Sequence, residues 1–345
     1  MKQYLEKIIR GENLSTEEMG AATNLCFLPE TTDAEIAAFL TALKMKGETA
    51  DEITGLVEVI RSHATIKTGF LPNIIDNCGT GGDQSNSFNI STTAAFVLAG
   101  AGVPVAKHGN RSVSSRTGSA DVLEHLGVSL TFSDQQVEEI LRENKIVFLF
   151  APHVHAKLGH FMKVRKELGL PTIMNLIGPL TNPVELDTQL LGVYRRDMLE
   201  VLAESLHKLG RRRAIVVNGA GYMDEASLAG ENHLVLLEDG KITSFTLHPE
   251  EVDLPVYDND AIKGGTAKEN ARILLDVLQG TPGPYLDTVL LNAGIGLYAS
   301  GVADSIKDGV ELARKSIFEG RALERLEGLI ARSKSLRTGE TAVNG

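Results

Sequence analysis

Short polar residues stand three places before a glutamate at the head of one apolar-periodic run after another. Ser15 with Glu18, Thr32 with Glu35 and Thr49 with Glu52 fit the capping box, in which a hydroxyl caps an amide of the first turn and the carboxylate reaches back. Behind the second box Ile36, Phe39 and Leu40 share one helical face. Behind the third, Ile53, Leu56, Val57 and Ile60 share another. Gly47 and the stretch Thr65–Gly69 read as stops. The pattern predicts a small all-helical domain over residues 1–69, joined by helices from about 160–190.

At Phe70 the periodicity changes. Asn73–Asn77, Val103–Lys107, Ile146–Phe150, Gln189–Val193 and Arg213–Asn218 read as strands, the last an apolar, β-branched run suited to burial on both faces. Helices fit between them at Thr92–Ala101, Ala120–Leu126 and Asp197–Leu209. Strands alternating with helices predict a mainly parallel sheet. Leu234–Glu238 and Ile242–Thr246, split by Asp239-Gly240, predict a hairpin. Thr266 with Glu269 opens another helix over Ala267–Leu278, followed by helices at Leu286–Ala299, Asp304–Phe318 and Arg321–Ser333. The expected class is therefore α/β: a small helical N-terminal domain, then a large domain over 70–333 whose central sheet is flanked by helices. Residues 334–345 read as a mobile tail.

Composition narrows the function. The 345 residues are 43% hydrophobic and 23% charged, ordinary for a globular chain. The net charge of -11 argues against nucleic acid and anionic membrane as partners, since both are held by basic surface. Two cysteines, Cys26 and Cys78, cannot build a disulfide framework. The first residues lack the apolar core of a signal peptide, and no run is long and apolar enough to span a bilayer, so the chain reads as cytoplasmic.

Several polar segments carry the chemistry. Gly79-Thr80-Gly81-Gly82-Asp83 follows a predicted strand, and its glycines allow the backbone amides to turn onto a phosphate. It is neither G-x-G-x-x-G nor a Walker loop, and a plain tight turn would look similar. Asn89-Ile90-Ser91-Thr92 precedes an apolar helix; Ser91 or Thr92 fits as its cap, and the same helix end suits an anion. Lys107 to Ser115 packs two cations, a histidine, an asparagine and three serines into what reads as a loop after a strand. Loops at the C-terminal ends of parallel strands are where such sheets bind ligands. Asp224-Glu225 follows the strand Arg213–Asn218 on that same rim, and hard oxygens beside a polyphosphate are the usual way to hold Mg²⁺. Arg165 is either a surface helix residue or a bidentate clamp for a carboxylate.

With these residues in view, the chain resembles the anthranilate phosphoribosyltransferases over nearly its whole length. The segments that carry the resemblance are GTGGD, NIST, KHGNRSVSS, the run Gly118 to Glu124, the run Asn175 to Pro183, and Asp224-Glu225. The resemblance implies a homodimer, Mg²⁺, and transfer of phosphoribose from phosphoribosyl pyrophosphate to the amine of anthranilate, in tryptophan biosynthesis. It implies that Gly79, Gly82, Asp83, Ser87, Asn89, Ile90, Ser91, Thr92, Lys107, His108, Gly109, Asn110, Arg111, Ser112, Val113, Ser114, Ser115 and Ser119 hold phosphoribosyl pyrophosphate. Ser91, Asp224 and Glu225 would reach Mg²⁺, and Gly79, Asn110 and Arg165 would contact anthranilate. No side chain is assigned as a general acid or base; His108 and His155 read as pocket wall or hydrogen-bond partners. One segment departs: the family pattern His-Pro-Ala-Met-Lys is replaced by His155-Ala156-Lys157-Leu158-Gly159, on the route to the acceptor. Two other readings compete. A pyrimidine nucleoside phosphorylase has a similar architecture but usually an added C-terminal domain. A nucleic-acid-binding relative is opposed by the net charge.

Overall fold

A computed structural model describes residues 1–69, 71–111 and 117–343, the stretch 336–343 by its backbone alone. The N-terminal unit is four helices, α1 (Lys2–Ile9), α2 (Thr16–Cys26), α3 (Asp33–Lys46) and α4 (Ala50–Ser62). Each of the three expected capping boxes forms, with Ser15, Thr32 and Thr49 accepting from the third amide and the glutamate answering. Ile36, Phe39, Leu40, Ile53, Leu56, Val57 and Ile60 are all fully buried.

The remaining chain builds one seven-stranded sheet in the order β3-β2-β1-β4-β5-β6-β7. The strands are β1 (Ile75–Asp76), β2 (Val105–Gly109), β3 (Ile146–Phe150), β4 (Thr188–Gly192), β5 (Arg213–Asn218), β6 (Asn232–Glu238) and β7 (Lys241–Leu247). The first five are parallel; β6 and β7 form the expected hairpin. Its turn residues Asp239 and Gly240 are both left-handed (φ 46° and 81°), the type I′ geometry that matches strand twist. The chain moves outward from β1 to β2 and β3, then returns to the other side of β1 as β4. The switch point of the sheet therefore lies at β1.

Helices α5 (Ile90–Gly100), α6 (Ser119–His125), α7 (Asp134–Asn144), α8 (Ala151–Val154), α9 (Gly159–Leu168), α10 (Leu199–Lys208), α11 (Ala267–Leu278), α12 (Pro284–Ala299), α13 (Ile306–Phe318) and α14 (Arg321–Val343) complete the fold. One apolar core joins a face of the sheet to α5 and to α11–α14. A second joins the other face, at Leu191, Val193, Ala214 and Val216, to α10, to Phe161 and Val164 of α9, and to α1–α4. Among the described residues no helix is long and apolar enough to cross a membrane.

Four boundaries differ from expectation. Asn73 takes left-handed backbone (φ 60°), so β1 starts only at Ile75. Strand β2 runs past Lys107 through His108 and Gly109, paired with Leu149 and Phe150, because His108 is buried rather than solvated. The cap of α5 is Asn89, not Ser91 or Thr92, which lie inside the first turn. The last helix, expected to stop at Ser333, continues to Val343. Helix α7, opened by a Ser133–Gln136 capping box, had no counterpart among the expected elements.

Candidate active site

The C-terminal ends of β1, β2, β4 and β5 converge on one rim, and the loops after them carry most of the expected residues. The glycine loop leaves β1 and runs beside β4, where the Thr80 amide donates to the Gly192 carbonyl at 2.9 Å. The acidic pair after β5 folds onto that line. A β-carbon at Gly79 would stand 2.3 Å from Asp224 Oδ2, and one at Gly192 would stand 1.6 Å from the Asp224 carbonyl. Only glycine admits this approach. The Gly81 amide donates to Asp224 Oδ2 at 2.6 Å, and the Asp224 amide donates to Asp83 Oδ2 at 3.4 Å. Ser91, in the first turn of α5, faces Glu225 and draws its pKa down. Gly79, Asp83, Ser91, Asp224 and Glu225, read separately from the sequence, thus meet.

The electrostatics of this meeting point are unfavourable as they stand. Burial, then Asp83, then Glu225 push Asp224 well above the usual carboxylate range. Burial pushes Glu225 up to about 7, against the pull of Lys107 and of Ser91. Lys107 is 2% exposed, and among the described residues its ammonium makes only long bonds, 3.4 Å each, to the Asn77 and His108 carbonyls. Asn77 Nδ2 donates to the Ser91 carbonyl at 2.9 Å, while its Oδ1 has no hydrogen-bond partner among the described residues. Buried polar atoms without partners are rare, and they mark a place shaped for something else to bind.

Beside β2, His108 Nδ1 faces the Gly178 carbonyl at 3.1 Å. A carbonyl only accepts, so this contact places the proton on Nδ1 and leaves Nε2, which is buried and has no partner among the described residues, as an acceptor. Burial, then His155 and Lys107, push His108 down to about 3, and burial pushes His155 down to about 4. The two rings meet edge to face at 5.5 Å. Both imidazoles are neutral at pH 7.

Not every expected residue joins the rim. Arg111 turns to Asp121 at 2.8 Å and Glu124 at 2.9 Å. Asn110 receives Ser119 Oγ at its carbonyl (3.2 Å). Gly109 ends β2, so the expected loop Lys107–Ser115 begins only at Asn110. Asn89 spends its side chain on the Thr117 carbonyl and on Asn270, leaving α5 without a side-chain cap. Ser87 pairs with Lys263 in an isolated bridge, and Ile90 and Thr92 are buried. Arg165 sits half-buried on α9; among the described residues its guanidinium has no hydrogen-bond or ion-pair partner, and burial lowers its pKa. Ser112, Val113, Ser114 and Ser115 lie outside the described residues.

Two buried residues had no assigned role in the sequence. Asp76 Oδ1 accepts from the His108 amide at 3.3 Å. Asn182 Nδ2 donates to Asp76 Oδ2 at 2.9 Å and to the Ala106 carbonyl at 2.8 Å. Pairing between β1 and β2 stops after Ile75 and Val105, and these two side chains occupy the opening. Asp76 ends a strand and Asn182 follows a 3-10 turn within the run Asn175 to Pro183, and nothing local in the sequence links the two.

The helical unit followed by this sheet, with a glycine loop at the switch point and acids opposite, is the architecture of a glycosyl transferase family. The chain belongs to that family: its helical bundle domain matches residues 2–64 and its a/b domain matches residues 71–323. Within it, the similar proteins are anthranilate phosphoribosyltransferases. The one from Oceanobacillus iheyensis is 60% identical over 336 residues, spanning 97% of this chain and 99% of that relative. The crystal structure of the Thermus thermophilus enzyme is 41% identical, with a TM-score of 0.90 over 96% of this chain and 99% of that one. The Saccharomyces cerevisiae enzyme, solved in complex with phosphoribosyl pyrophosphate and Mg, is 29% identical, with a TM-score of 0.88 over 96% and 97%.

Proposed function

We infer that this chain transfers the phosphoribosyl group of 5-phosphoribosyl 1-pyrophosphate to the amine of anthranilate, giving N-(5-phosphoribosyl)anthranilate and pyrophosphate, in L-tryptophan biosynthesis. The observation that carries this reading is the contact between the glycine loop and Asp224-Glu225, which needs glycine at both 79 and 192. In the reaction the C1–oxygen bond to pyrophosphate breaks, a C1–nitrogen bond forms, and the amine loses one proton.

Three carboxylates, of Asp83, Asp224 and Glu225, crowd one point, and burial with mutual repulsion holds two of them partly protonated. A divalent cation relieves that repulsion, and an all-oxygen donor set suits Mg²⁺. When bound, Mg²⁺ supplies positive charge beside the departing pyrophosphate. Asp224, Glu225 and the Ser91 hydroxyl are the ligands in this reading. The amides at Gly79, Gly82 and the first turn of α5, with Asp83, Ser87, Asn89, Lys107 and the run on to Ser115 and Ser119, hold the phosphoribosyl pyrophosphate. Lys107 brings a buried charge that, among the described residues, lacks a carboxylate within ion-pair distance. Anthranilate is held by Arg165 through its carboxylate, with Gly79 and Asn110 beside the amine.

An aromatic amine is a weak nucleophile, so holding it against C1 matters more than removing its proton early. Neutral His108 and His155 fit a pocket wall better than a charged one. A homodimer in the cytoplasm, and boundaries at residues 69 and 333, belong to the same reading.

The decisive experiment mixes the protein with anthranilate, phosphoribosyl pyrophosphate and Mg²⁺ and follows the loss of anthranilate fluorescence. Persistent fluorescence with all three present refutes the activity. Arg165→Ala is expected to raise the KM for anthranilate roughly 10- to 100-fold, the cost of a charge-assisted hydrogen bond. The KM for phosphoribosyl pyrophosphate should hold; equal effects on both would remove Arg165 from its role.

A further inference from the structure

The loop carrying Asp224 and Glu225 is held from several sides. At its base the Gly219 amide donates to the Met223 carbonyl at 2.9 Å. At its exit Asn292 accepts from the Ala226 amide and donates to the Ala226 carbonyl, both at 2.9 Å. On one flank Asn259 Nδ2 donates to the Ala220 carbonyl at 3.0 Å. Arg196 makes a further contact. Its Nε donates to Asn218 Oδ1 at 2.8 Å, and its guanidinium lies over the Tyr222 ring, 4.6 Å from the centroid. Asn218, the fully buried last residue of β5, is itself tied down by donating to the Val193 and Tyr194 carbonyls at 2.8 and 3.1 Å.

Tyr222 is the residue this contact acts on. Its backbone is left-handed (φ 62°), a region that disfavours a bulky side chain, and the residue is 59% exposed. Hydrophobic burial does little to hold it there. A stacked guanidinium anchored on a buried amide does. Tyr222 precedes Asp224 by two residues, so its backbone direction sets where the acids point.

We propose that Arg196 is a positioning residue for the metal-binding acids: bonded to Asn218 and stacked on Tyr222, it holds the loop so that Asp224 and Glu225 turn toward the glycine loop. This rests on the reading that those acids hold Mg²⁺. Arg196 has no bond to either acid and works through Tyr222. It also borders a groove of about 370 Å³ between the start of α10 and the β6–β7 hairpin, so its replacement opens no buried cavity. Lysine keeps the charge but lacks the planar fork that can bond Asn218 and stack at once.

The test uses Mn²⁺ as the probe, titrated into the full chain and followed by electron paramagnetic resonance, beside the Mg²⁺ dependence of turnover and the melting temperature. Arg196→Gln, Arg196→Lys and Tyr222→Leu are compared with wild type and with the double variant Asp224→Asn/Glu225→Gln. The expected result is Mn²⁺ binding weaker by roughly 10-fold or more in all three, the loss typical of removing an outer partner of a metal ligand. The Mg²⁺ needed for half-maximal rate should rise in step, with kcat recovered at saturating Mg²⁺ and melting temperature unchanged. Wild-type Mn²⁺ affinity in Arg196→Gln, with or without a fall in melting temperature, overturns the proposal. A wild-type chain that binds Mn²⁺ no better than the double acid variant overturns the metal assignment instead.

Discussion

Carboxylates drawn away from water occur in both halves of this molecule, fully buried in one and half-buried in the other, and they are treated in opposite ways. In the helical unit Glu52 is fully buried and fully answered. It accepts from the Leu14 amide at 3.0 Å, the Thr49 amide at 3.0 Å and Lys46 Nζ at 2.9 Å. At the rim, Asp224 and Glu225 face Asp83 and each other, and both are driven toward protonation. The same chemical group is a structural pin in one place and an unmet demand in the other. A buried acid with a complete set of donors explains itself by folding; a cluster that repels itself needs a ligand to explain it.

This contrast can be broken by substitution. The largest effect is expected for Asp224→Asn with Glu225→Gln. Turnover should fall on the order of 10³-fold, as several kcal/mol of charge stabilisation are lost. The melting temperature should hold or rise, since repulsion is removed. A marked drop in stability would mean that the acids are pinned after all. Next, Glu52→Ala leaves Lys46 and two amides without their partner, and should cost roughly 3–5 kcal/mol in urea unfolding. Activity per folded molecule should be kept, and a specific loss of turnover would erase the distinction.

A pH test sharpens the comparison. The folded pKa of Glu225, about 7, lies above its ordinary value of 4.5. Its contribution to stability is therefore present below pH 4.5 and is lost as the pH rises through about 7, because the unfolded chain releases that proton more easily. The loss should be on the order of 3 kcal/mol, with Asp224 adding in the same direction. Mg²⁺ should restore melting temperature at pH 8 and do little at pH 5. Equal stabilisation at both would show that these acids are not where the cation binds. The smallest effect is expected for Thr49→Ala, which removes one capping box for about 1 kcal/mol and leaves turnover alone.

What the sequence made legible follows the same divide. Capping boxes and apolar periodicity are local, so the starts of α2, α3 and α4 and the strands β3 and β5 were read to the residue. The hairpin turn was legible because Asp-Gly has a backbone preference of its own. At the rim, locality fails. Lys107 and His108 look like loop residues but belong to a buried strand, since their burial depends on partners tens of residues away. Asn89 looks like part of a helix start but its side chain is used elsewhere, by Thr117 and Asn270. The glycines and acids were recognised as chemistry from their types, yet only the fold shows that Gly192, part of no motif, is what lets Asp224 in. Asp76, Asn182 and Arg196 were invisible because each acts through contacts with residues distant in the chain.

The opening between β1 and β2 has a consequence of its own. After Ile75 the chain leaves β2 and resumes pairing with β4 at Gly79, so the seam is undone along one edge only. Asp76 and Asn182 stand in the gap as wedges, taking up the His108 amide and the Ala106 carbonyl that a neighbouring strand would otherwise claim. Its width is thus fixed by the lengths of two side chains rather than by a ladder. A gap set in that way can be widened or narrowed by single substitutions at either wedge, with the rest of the sheet left as it is.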